Sequence, residues 1–337
     1  MRRCATCGET LGADARFCGV CGTKLADPNI GRVIGQRYVL RELIGEGSLG
    51  VVYRADQLGM QRRLAIKLLP TDPQRDRRTV ERFRREGAVL CKLRSPHTVT
   101  TYEFDREPDG SLYIAMELSP GRSLADIFRT EGALEATRVL RILAGLCVSL
   151  GEAHTLGVVH RDLRPSNILI ETRAAQRDFV KLTDFGLAKI IADGNQPSPT
   201  PVGETIGTIQ FASPEQLMSR QLDGRADIYA LGVLGYLLVT GQHPLPGARS
   251  FGDLVAAHIG IVPPRASVAR AGVPADVDEI LARCLEKDPA RRYPDAPALA
   301  ATIAVALQAY PTSFSDTIKT DPGDEDTLAA TPLKPPK

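Results

Sequence analysis

The chain has 337 residues, of which 43% are hydrophobic and 24% are charged, which is the usage of an ordinary globular protein. This length is too great for one small domain, and it suits a larger unit with additions. The formal net charge of +2 gives no strong electrostatic field, so bulk charge indicates neither nucleic acid nor a membrane surface as a partner.

The sequence gives no sign of export or of a membrane span. Its first residues, Met1-Arg2-Arg3-Cys4, lack the apolar stretch of a signal peptide. The longest apolar stretch, residues 228–239, falls well short of the ~20 residues that cross a bilayer, and a buried core helix explains it better. We therefore expect a soluble cytoplasmic protein without a membrane span.

Four of the seven cysteines lie near the N-terminus as two Cys-x2-Cys pairs, Cys4 with Cys7 and Cys18 with Cys21. Four thiolates complete a closed tetrahedral shell, so residues 1–26 resemble a zinc ribbon with a structural Zn²⁺. A disulfide pair is the alternative, and the absence of an export signal disfavours it. The few basic residues favour a protein-docking role for the ribbon over nucleic-acid binding.

Residues 27–36 contain Pro, Asn and Gly without periodicity, which predicts a linker. A β-type run then begins at Arg37, reaches the glycines at 45, 47 and 50, and continues as a second β-type run from Val51. The glycines therefore lie at a hairpin tip, whereas a dinucleotide-binding fold would place them before a helix. The next apolar strand, residues 64–69, carries Lys67, which is costly to bury unless it is paired.

The chemistry concentrates in one stretch, His160-Arg161-Asp162-Leu163-Arg164-Pro165-Ser166-Asn167, followed after an apolar run by Asp184-Phe185-Gly186. It offers one acid that can take a proton, and an amide and a second acid that can hold a metal ion. Phosphoryl transfer from ATP requires this set. Together with the glycine hairpin and Lys67, the stretch resembles the protein kinase superfamily, and in particular the bacterial, eukaryotic-like Ser/Thr protein kinases.

The resemblance covers residues 37–309 and implies an α+β, two-lobed protein kinase fold behind the small zinc ribbon. The N-lobe would span residues 37–118 and the C-lobe residues 119–309. Residues 310–337 are rich in Pro, Thr, Asp and Lys, so we expect a disordered tail. ATP with Mg²⁺ and protein substrates are the implied cofactors and partners.

The resemblance also implies roles for single residues. Asp162 would accept the substrate hydroxyl and take its proton, Asn167 and Asp184 would bind Mg²⁺, and Lys67 would contact the phosphates while paired with Glu86. Glu81, the competing acid on the same helix, suits the positive helix start. The residues expected around ATP are Ile44, Gly45, Glu46, Gly47, Ser48, Gly50, Val52, Ala65, Lys67, Met116, Glu117, Leu118 and Leu169. Met116 would be the gatekeeper, although simple core packing also explains it.

Two further features follow from the resemblance. Arg164 stands where the Ser/Thr members usually carry Lys; it keeps the charge that could contact the γ-phosphate but has different geometry. His160 would pack in the spine that joins the lobes, with Phe185, Leu90 and Tyr102.

Regulation is expected between Asp184 and Glu215, where residues 193–205 are rich in Pro, Gly, Ser and Thr. A phosphate on this segment would pair with Arg161 and order the segment. The candidate sites are Thr205, Thr200 and Ser198, although these hydroxyls can equally be plain solvated residues.

Two polar contacts are expected behind the catalytic loop. Asp227 would cap backbone amides, either of its own helix or of the catalytic loop. Glu215 and Arg292 would form a buried ion pair.

In the tail, Thr317, Thr320 and Thr327 lie near acids and could be read by a phospho-Thr-binding partner, although an inert solvated tail is equally compatible. We interpret the chain as a Ser/Thr protein kinase. The alternatives are a pseudokinase scaffold, disfavoured by the intact set Lys67, Glu86, Asp162, Asn167 and Asp184, and a small-molecule kinase, disfavoured by Ser213-Pro214-Glu215 with Arg292.

Overall fold

The computed structural model describes residues 2–12, 17–23, 25–47, 50–69, 77–173, 176–185, 209–247 and 250–310. Several predicted positions lie outside these residues. They are Ser48, Ser198, Thr200, Thr205, Thr317, Thr320 and Thr327.

The described residues form short N-terminal strands, a strand-rich N-lobe and a helical C-lobe. The strands are β1 (Arg2–Arg3), β2 (Thr10–Leu11), β3 (Val33–Ile34), β4 (Tyr38–Gly47), β5 (Gly50–Gln57), β6 (Arg62–Leu68), β7 (Thr101–Arg106), β8 (Leu112–Met116), β9 (Arg122–Ser123), β10 (Ile168–Arg173) and β11 (Gln176–Leu182). The helices are α1 (Arg77–Leu90), α2 (Leu124–Glu131), α3 (Ala136–Thr155), α4 (Pro214–Leu217), α5 (Arg225–Thr240), α6 (Phe251–Gly260), α7 (Ala266–Ala269), α8 (Ala275–Cys284) and α9 (Ala296–Gln308). The predicted α+β, two-lobed fold is confirmed.

The N-lobe is an antiparallel sheet with the strand order β3-β4-β5-β6-β8-β7. The glycine hairpin joins β4 to β5, with Gly47 opposite Gly50. Helix α1 packs against β7 through an edge-to-face contact between Phe83 and Phe104, whose ring centroids are 5.2 Å apart. This contact fixes one face of α1 to the back of the sheet.

The predicted linker differs from the structure, because its second half is part of the N-lobe. Ile34 is fully buried and pairs with Tyr38 across the β3–β4 ladder. The linker also binds the sheet through Tyr53, whose hydroxyl donates to an Asp27 carboxylate oxygen at 3.0 Å and accepts from Asn29 Nδ2 at 3.0 Å. Burial and strand pairing hold this segment, and its Pro–Asn–Gly composition does not reveal them.

The expectation for Tyr102 is wrong. Its side chain is 37% exposed and stacks under the Arg62 guanidinium, at 4.0 Å from the ring centroid. The register of β7 against β8 shifts between Thr101 and Glu103, so Tyr102 lies in a bulge that turns it outward. A one-residue shift moves a side chain to the opposite face of a sheet, and a bulge of this kind cannot be read from the alternation alone.

The C-lobe is built around α5, which is buried along nearly its whole length and packs against α3 and α8. Such a helix is apolar on all sides because no face meets water. It contains the long apolar stretch of the sequence. Within the described ranges, no helix combines the length and apolarity needed to cross a bilayer.

Candidate active site and cysteine cluster

The loop at residues 160–167 is held by one buried carboxylate at the first turn of α5. Asp227 is 1% exposed and accepts the backbone N–H of His160 at 2.8 Å and that of Arg161 at 3.0 Å. It also contacts His154 Nε2 at 2.8 Å. Of the two roles expected for Asp227, these bonds to the loop are the ones found. The loop is strained at Arg161, which has a φ of 67°, and these bonds stabilise it.

Asn167 and Asp162 face each other within this loop. Asn167 Nδ2 donates to the Asp162 carbonyl at 2.8 Å and to Asp162 Oδ2 at 3.1 Å. The Asn167 carbonyl accepts the N–H of Thr183, so the loop is tied to the residue before Asp184. Burial raises the pKa of Asp162, and the Asp184 charge adds to this effect. The Asn167 amide thus donates to one carboxylate oxygen of Asp162, and among the described residues the other oxygen has no hydrogen-bond donor.

Lys67 lies on β6 and its ammonium pairs with Asp184. The distance from Lys67 Nζ to Asp184 Oδ2 is 2.9 Å, and the lysine side chain is 6% exposed. The structure does not bring Lys67 to Glu86, the expected partner; among the described ion pairs, Glu86 forms none. Burial lowers the pKa of Arg161, and the charges of Asp227 and then Glu86 partly offset this effect.

Three of the four predicted spine residues lie together. The rings of His160 and Phe185 are 4.7 Å apart, and His160 Nε2 donates to the Thr183 carbonyl at 2.9 Å. Leu90 and Phe185 line one small cavity together with Met116. These contacts join α1, the loop and the residues around Asp184.

The apolar residues expected around ATP form one cluster at the junction of the lobes. Ala65 pairs with Met116 across β6 and β8, and Val52 pairs with Lys67 across β5 and β6. The partly buried members that pack against the buried ones are Val52, Leu118 and Leu169. They come from both lobes, with Val52 on β5 and Leu169 on β10.

The glycine hairpin lies where β4 ends and β5 begins. Ile44, Gly45, Glu46 and Gly47 lie on the end of β4, where Ile44 is 46% exposed. Gly50 has a φ of +139°, and a Cβ at this position would overlap the Leu68 carbonyl oxygen. Only glycine fits there, because the backbone of β5 runs directly against that of β6.

The sequence did not reveal an ion pair behind the hinge, the segment that begins at Glu117 directly after β8. The Glu117 N–H donates to the Thr100 carbonyl at 2.8 Å, and both Glu117 carboxylate oxygens lie 2.7 Å from Lys181 Nζ. Burial opposes ionisation of Glu117, but hydrogen bonds from Lys181 and Thr100 lower its pKa. A lysine within the apolar run 179–182 was the signal that could have identified this pair.

The remaining predicted residues flank the catalytic loop. Arg164 Nε donates to Ser166 Oγ at 2.8 Å, which holds the guanidinium close to the loop. Glu215 and Arg292 are brought together as a bidentate pair at 2.7 and 2.9 Å. Gln216 Nε2 donates to the Arg161 carbonyl at 2.9 Å, so the segment containing Glu215 lies directly beside the loop.

The four N-terminal cysteines converge on one point. The shortest contacts join the two pairs, with Cys4 Sγ 3.5 Å from Cys21 Sγ and Cys7 Sγ 3.4 Å from Cys18 Sγ. All four sulfur atoms lie within 4.8 Å of one another. Four thiolates at a Zn–S distance of about 2.3 Å around a tetrahedral ion would be about 3.8 Å apart. The four sulfur atoms therefore fit a metal ion that is bound tetrahedrally by four thiolates.

Both Cys-x2-Cys turns have the same backbone geometry. Cys4 N–H donates to Glu9 O at 2.8 Å and Cys18 N–H donates to Thr23 O at 2.9 Å. The residues after the pairs, Gly8 and Gly22, have φ values of 75° and 70°. Backbone N–H groups of Cys7 and Thr6 lower the pKa of the Cys4 thiol. Because both pairs have this geometry, the two sulfur atoms of each pair face the same point.

Comparison with known proteins agrees with this geometry. The model of the protein kinase domain family matches residues 38–302. The serine/threonine-protein kinase pkn3 of Myxococcus xanthus is 38% identical over 84% of this chain and 51% of its own length. The serine/threonine-protein kinase PknB of Mycobacterium tuberculosis is 36% identical over 77% of this chain and 41% of its own length.

Among solved structures, the kinase domain of Mycobacterium tuberculosis PknI matches with a TM-score of 0.63 and 26% identity, covering 82% of this chain and 98% of that domain. The chain spans about half the length of the curated relatives it matches. The family match covers most of the chain, and both relatives are more than 30% identical to it. The chain therefore belongs to the protein kinase family.

Proposed function

We propose that this chain is a Ser/Thr protein kinase that transfers the γ-phosphate of Mg²⁺-bound ATP to serine and threonine hydroxyls of proteins. The observation that carries the proposal is the convergence of Lys67, Asp162, Asn167 and Asp184 in one cleft between the lobes. The two relatives are named serine/threonine-protein kinases, which supports serine and threonine as the acceptor residues.

The nucleotide would lie between the glycine hairpin and the cluster formed by Val52, Ala65, Met116 and Leu169. The backbone of Glu117 and Leu118 follows the end of β8 and would bind the adenine edge. Because the Glu117 N–H is already bonded to Thr100 and no described residue donates to the Glu117 carbonyl, that carbonyl would be the group that binds adenine. Lys67 would bind phosphate oxygens beside its ion pair with Asp184, since further anionic oxygens stabilise a buried ammonium.

Asn167 and Asp184 would hold Mg²⁺, because amide and carboxylate oxygens are the ligands that this hard ion prefers. Bound Mg-ATP would supply the electrophilic phosphoryl group and the neutralisation of its charge. Asp162 would orient the incoming hydroxyl with its free carboxylate oxygen and accept the proton. Its raised pKa favours that proton transfer compared with an ordinary aspartate.

Regulation by phosphorylation of the activation segment, which lies between Asp184 and Glu215, is part of the proposal. The Arg161 guanidinium is half-buried, and burial lowers its pKa. Within the described residues it forms no hydrogen bond or ion pair, so a phosphate on Thr205, Thr200 or Ser198 would find an unsatisfied cation beside Asp162. Mass spectrometry of the protein after incubation with ATP would identify the modified residue.

The test of the proposed activity is transfer of labelled γ-phosphate from Mg-ATP to the protein itself and to a generic protein substrate, followed by identification of the labelled residues. We expect label on serine and threonine. A protein that binds ATP but transfers no phosphate, even after phosphorylation by another kinase, would instead be the pseudokinase scaffold.

We also propose that Cys4, Cys7, Cys18 and Cys21 bind one structural Zn²⁺, which leaves no open coordination position. So short a segment has little apolar core, and the metal would supply most of its folding energy. Elemental analysis should give one zinc per chain, and Cys7→Ser should lower that content without changing the fold of the lobes. Zinc-free protein with two disulfides would support the alternative pairing.

A further inference from the structure

His243 makes a hydrogen bond with each of its ring nitrogens. It lies in the turn after α5, where Nε2 is 2.9 Å from the Gln210 carbonyl and Nδ1 accepts the N–H of Leu245 at 3.1 Å. A carbonyl can only accept and a backbone N–H can only donate, so the two partners fix the neutral ring with its proton on Nε2. Burial lowers the pKa of His243, which agrees with this neutral form.

Gln210 belongs to a segment that forms one wall beside the catalytic loop. Within residues 209–215, the side chains of Ile209, Phe211 and Ser213 are buried. At its far end the segment is held by the bonds of Glu215 to Arg292 and of Gln216 to the catalytic loop. These bonds all lie at the C-terminal end. Besides the packing of Ile209 and Phe211, the bond from His243 is the side-chain hydrogen bond that the described residues provide at the N-terminal end.

The ring of His243 itself rests on a rigid support. It packs edge-to-face on His258 of α6, with 5.7 Å between ring centroids. His258 is fully buried, and its Nδ1 lies 3.0 Å from the Tyr229 hydroxyl of α5, which in turn accepts from Lys287 Nζ at 3.1 Å. Two helices therefore fix the position of the Nε2–H of His243 before any substrate binds.

We propose that His243 is a positioning residue for the polypeptide substrate. By holding the Gln210 carbonyl, it sets the wall formed by residues 209–213, against which the chain flanking the acceptor hydroxyl docks. The acceptor must reach Asp162, and Gln216, three residues after the wall, donates to the carbonyl of Arg161, the residue before Asp162. This inference rests on the proposed protein kinase activity, and it assigns a substrate-binding role to a residue outside the ATP site.

Two variants separate the two hydrogen bonds of His243. In His243→Gln the amide nitrogen reaches the position of Nε2 and keeps the bond to Gln210. In His243→Asn the shorter side chain can keep the bond to Leu245 but cannot reach Gln210. The pair thus changes the contact to the wall while each variant keeps a buried polar side chain of similar chemistry.

The first measurement is steady-state phosphorylation of a synthetic peptide that repeats residues 194–208. Loss of one buried hydrogen bond predicts a roughly five- to tenfold higher KM for the peptide in His243→Asn, with the KM for ATP unchanged. His243→Gln should remain close to wild type. Equal peptide KM values in wild type and His243→Asn, or equal losses in both variants, would overturn the proposal.

A second measurement does not depend on activity. Amide hydrogen exchange in residues 210–213 should be faster in His243→Asn than in wild type, and unchanged in His243→Gln. If wild-type protein transfers no phosphate, the proposed function fails, but the exchange pattern still decides whether His243 holds the wall. Exchange that is identical in all three proteins would contradict the proposal.

Discussion

Replacing Arg292 by methionine should destabilise the C-lobe severely, because every donor of this guanidinium is used. Arg292 is 2% exposed, and Met has a similar length without any donor. The groups that accept from its five N–H bonds are both Glu215 carboxylate oxygens and the carbonyls of Arg225, Glu286 and Lys287. Arg292→Met leaves all of them without their donor.

The largest part of the loss comes from Glu215, which is 6% exposed. Breaking a buried ion pair by removing one partner costs about 3–5 kcal/mol, because the remaining charge stays buried without compensation. Proteins of this kind are stable by only about 5–15 kcal/mol in total. Arg292→Met should therefore remove a large fraction of the free energy of unfolding.

Urea unfolding at neutral pH measures this loss, and the neighbouring residue supplies the control. Arg291 Nε lies 3.7 Å from Glu286 Oε2, and 70% of the arginine side chain is exposed. Arg291→Met should therefore change the free energy of unfolding by less than about 0.5 kcal/mol. Adding Glu215→Gln to Arg292→Met should restore part of the stability, since no buried charge then remains. A loss below about 1 kcal/mol for Arg292→Met alone would refute this reasoning.

Three further predictions concern the hinge, the buried histidine and the glycine hairpin. Lys181→Met should raise the KM for ATP several-fold in a steady-state assay, because Glu117 loses the partner that lowers its pKa and holds its carboxylate in place. Burial lowers the pKa of His258 to about 3 from the usual 6.5, so its contribution to stability is present above pH 6.5 and is lost as pH falls toward 3. Over this range the free energy of unfolding should fall by about 1.4 kcal/mol per pH unit because of His258. Urea unfolding at pH 7 and pH 5 should show a smaller fall in His258→Asn. Gly50→Ala should weaken ATP binding at least tenfold by calorimetry, since the added methyl meets the Leu68 carbonyl; unchanged binding would contradict the fit described for this hairpin.

Short-range sequence patterns predicted much of the site. The residues of the loop 160–167 come together because they lie close in the chain, and the glycine hairpin follows from β-type runs on both sides. The pair of Glu215 and Arg292 followed from the family resemblance. The single acid at the start of α5 was correctly expected to cap backbone amides, and the structure shows that they belong to the loop.

The parts that the sequence could not supply depend on how elements are placed relative to one another. The motifs identify Lys67 and Asp184 separately, and only the folded chain shows that they pair with each other. The outward turn of Tyr102 results from a bulge between two strands. The bonds of His243 join two segments that are 33 residues apart, and the sequence around His243 carries no signal for them.

In the proposed reaction, Asp162 accepts the proton of the substrate hydroxyl. This role is tested by comparing the rate of γ-phosphate transfer by wild type and Asp162→Asn at saturating Mg-ATP, with the KM for ATP measured in both. We predict a fall in kcat of roughly 10²–10⁴-fold with little change in the KM for ATP, because the variant keeps the shape of the loop but loses the base. Equal rates in the two proteins would contradict the assignment of Asp162.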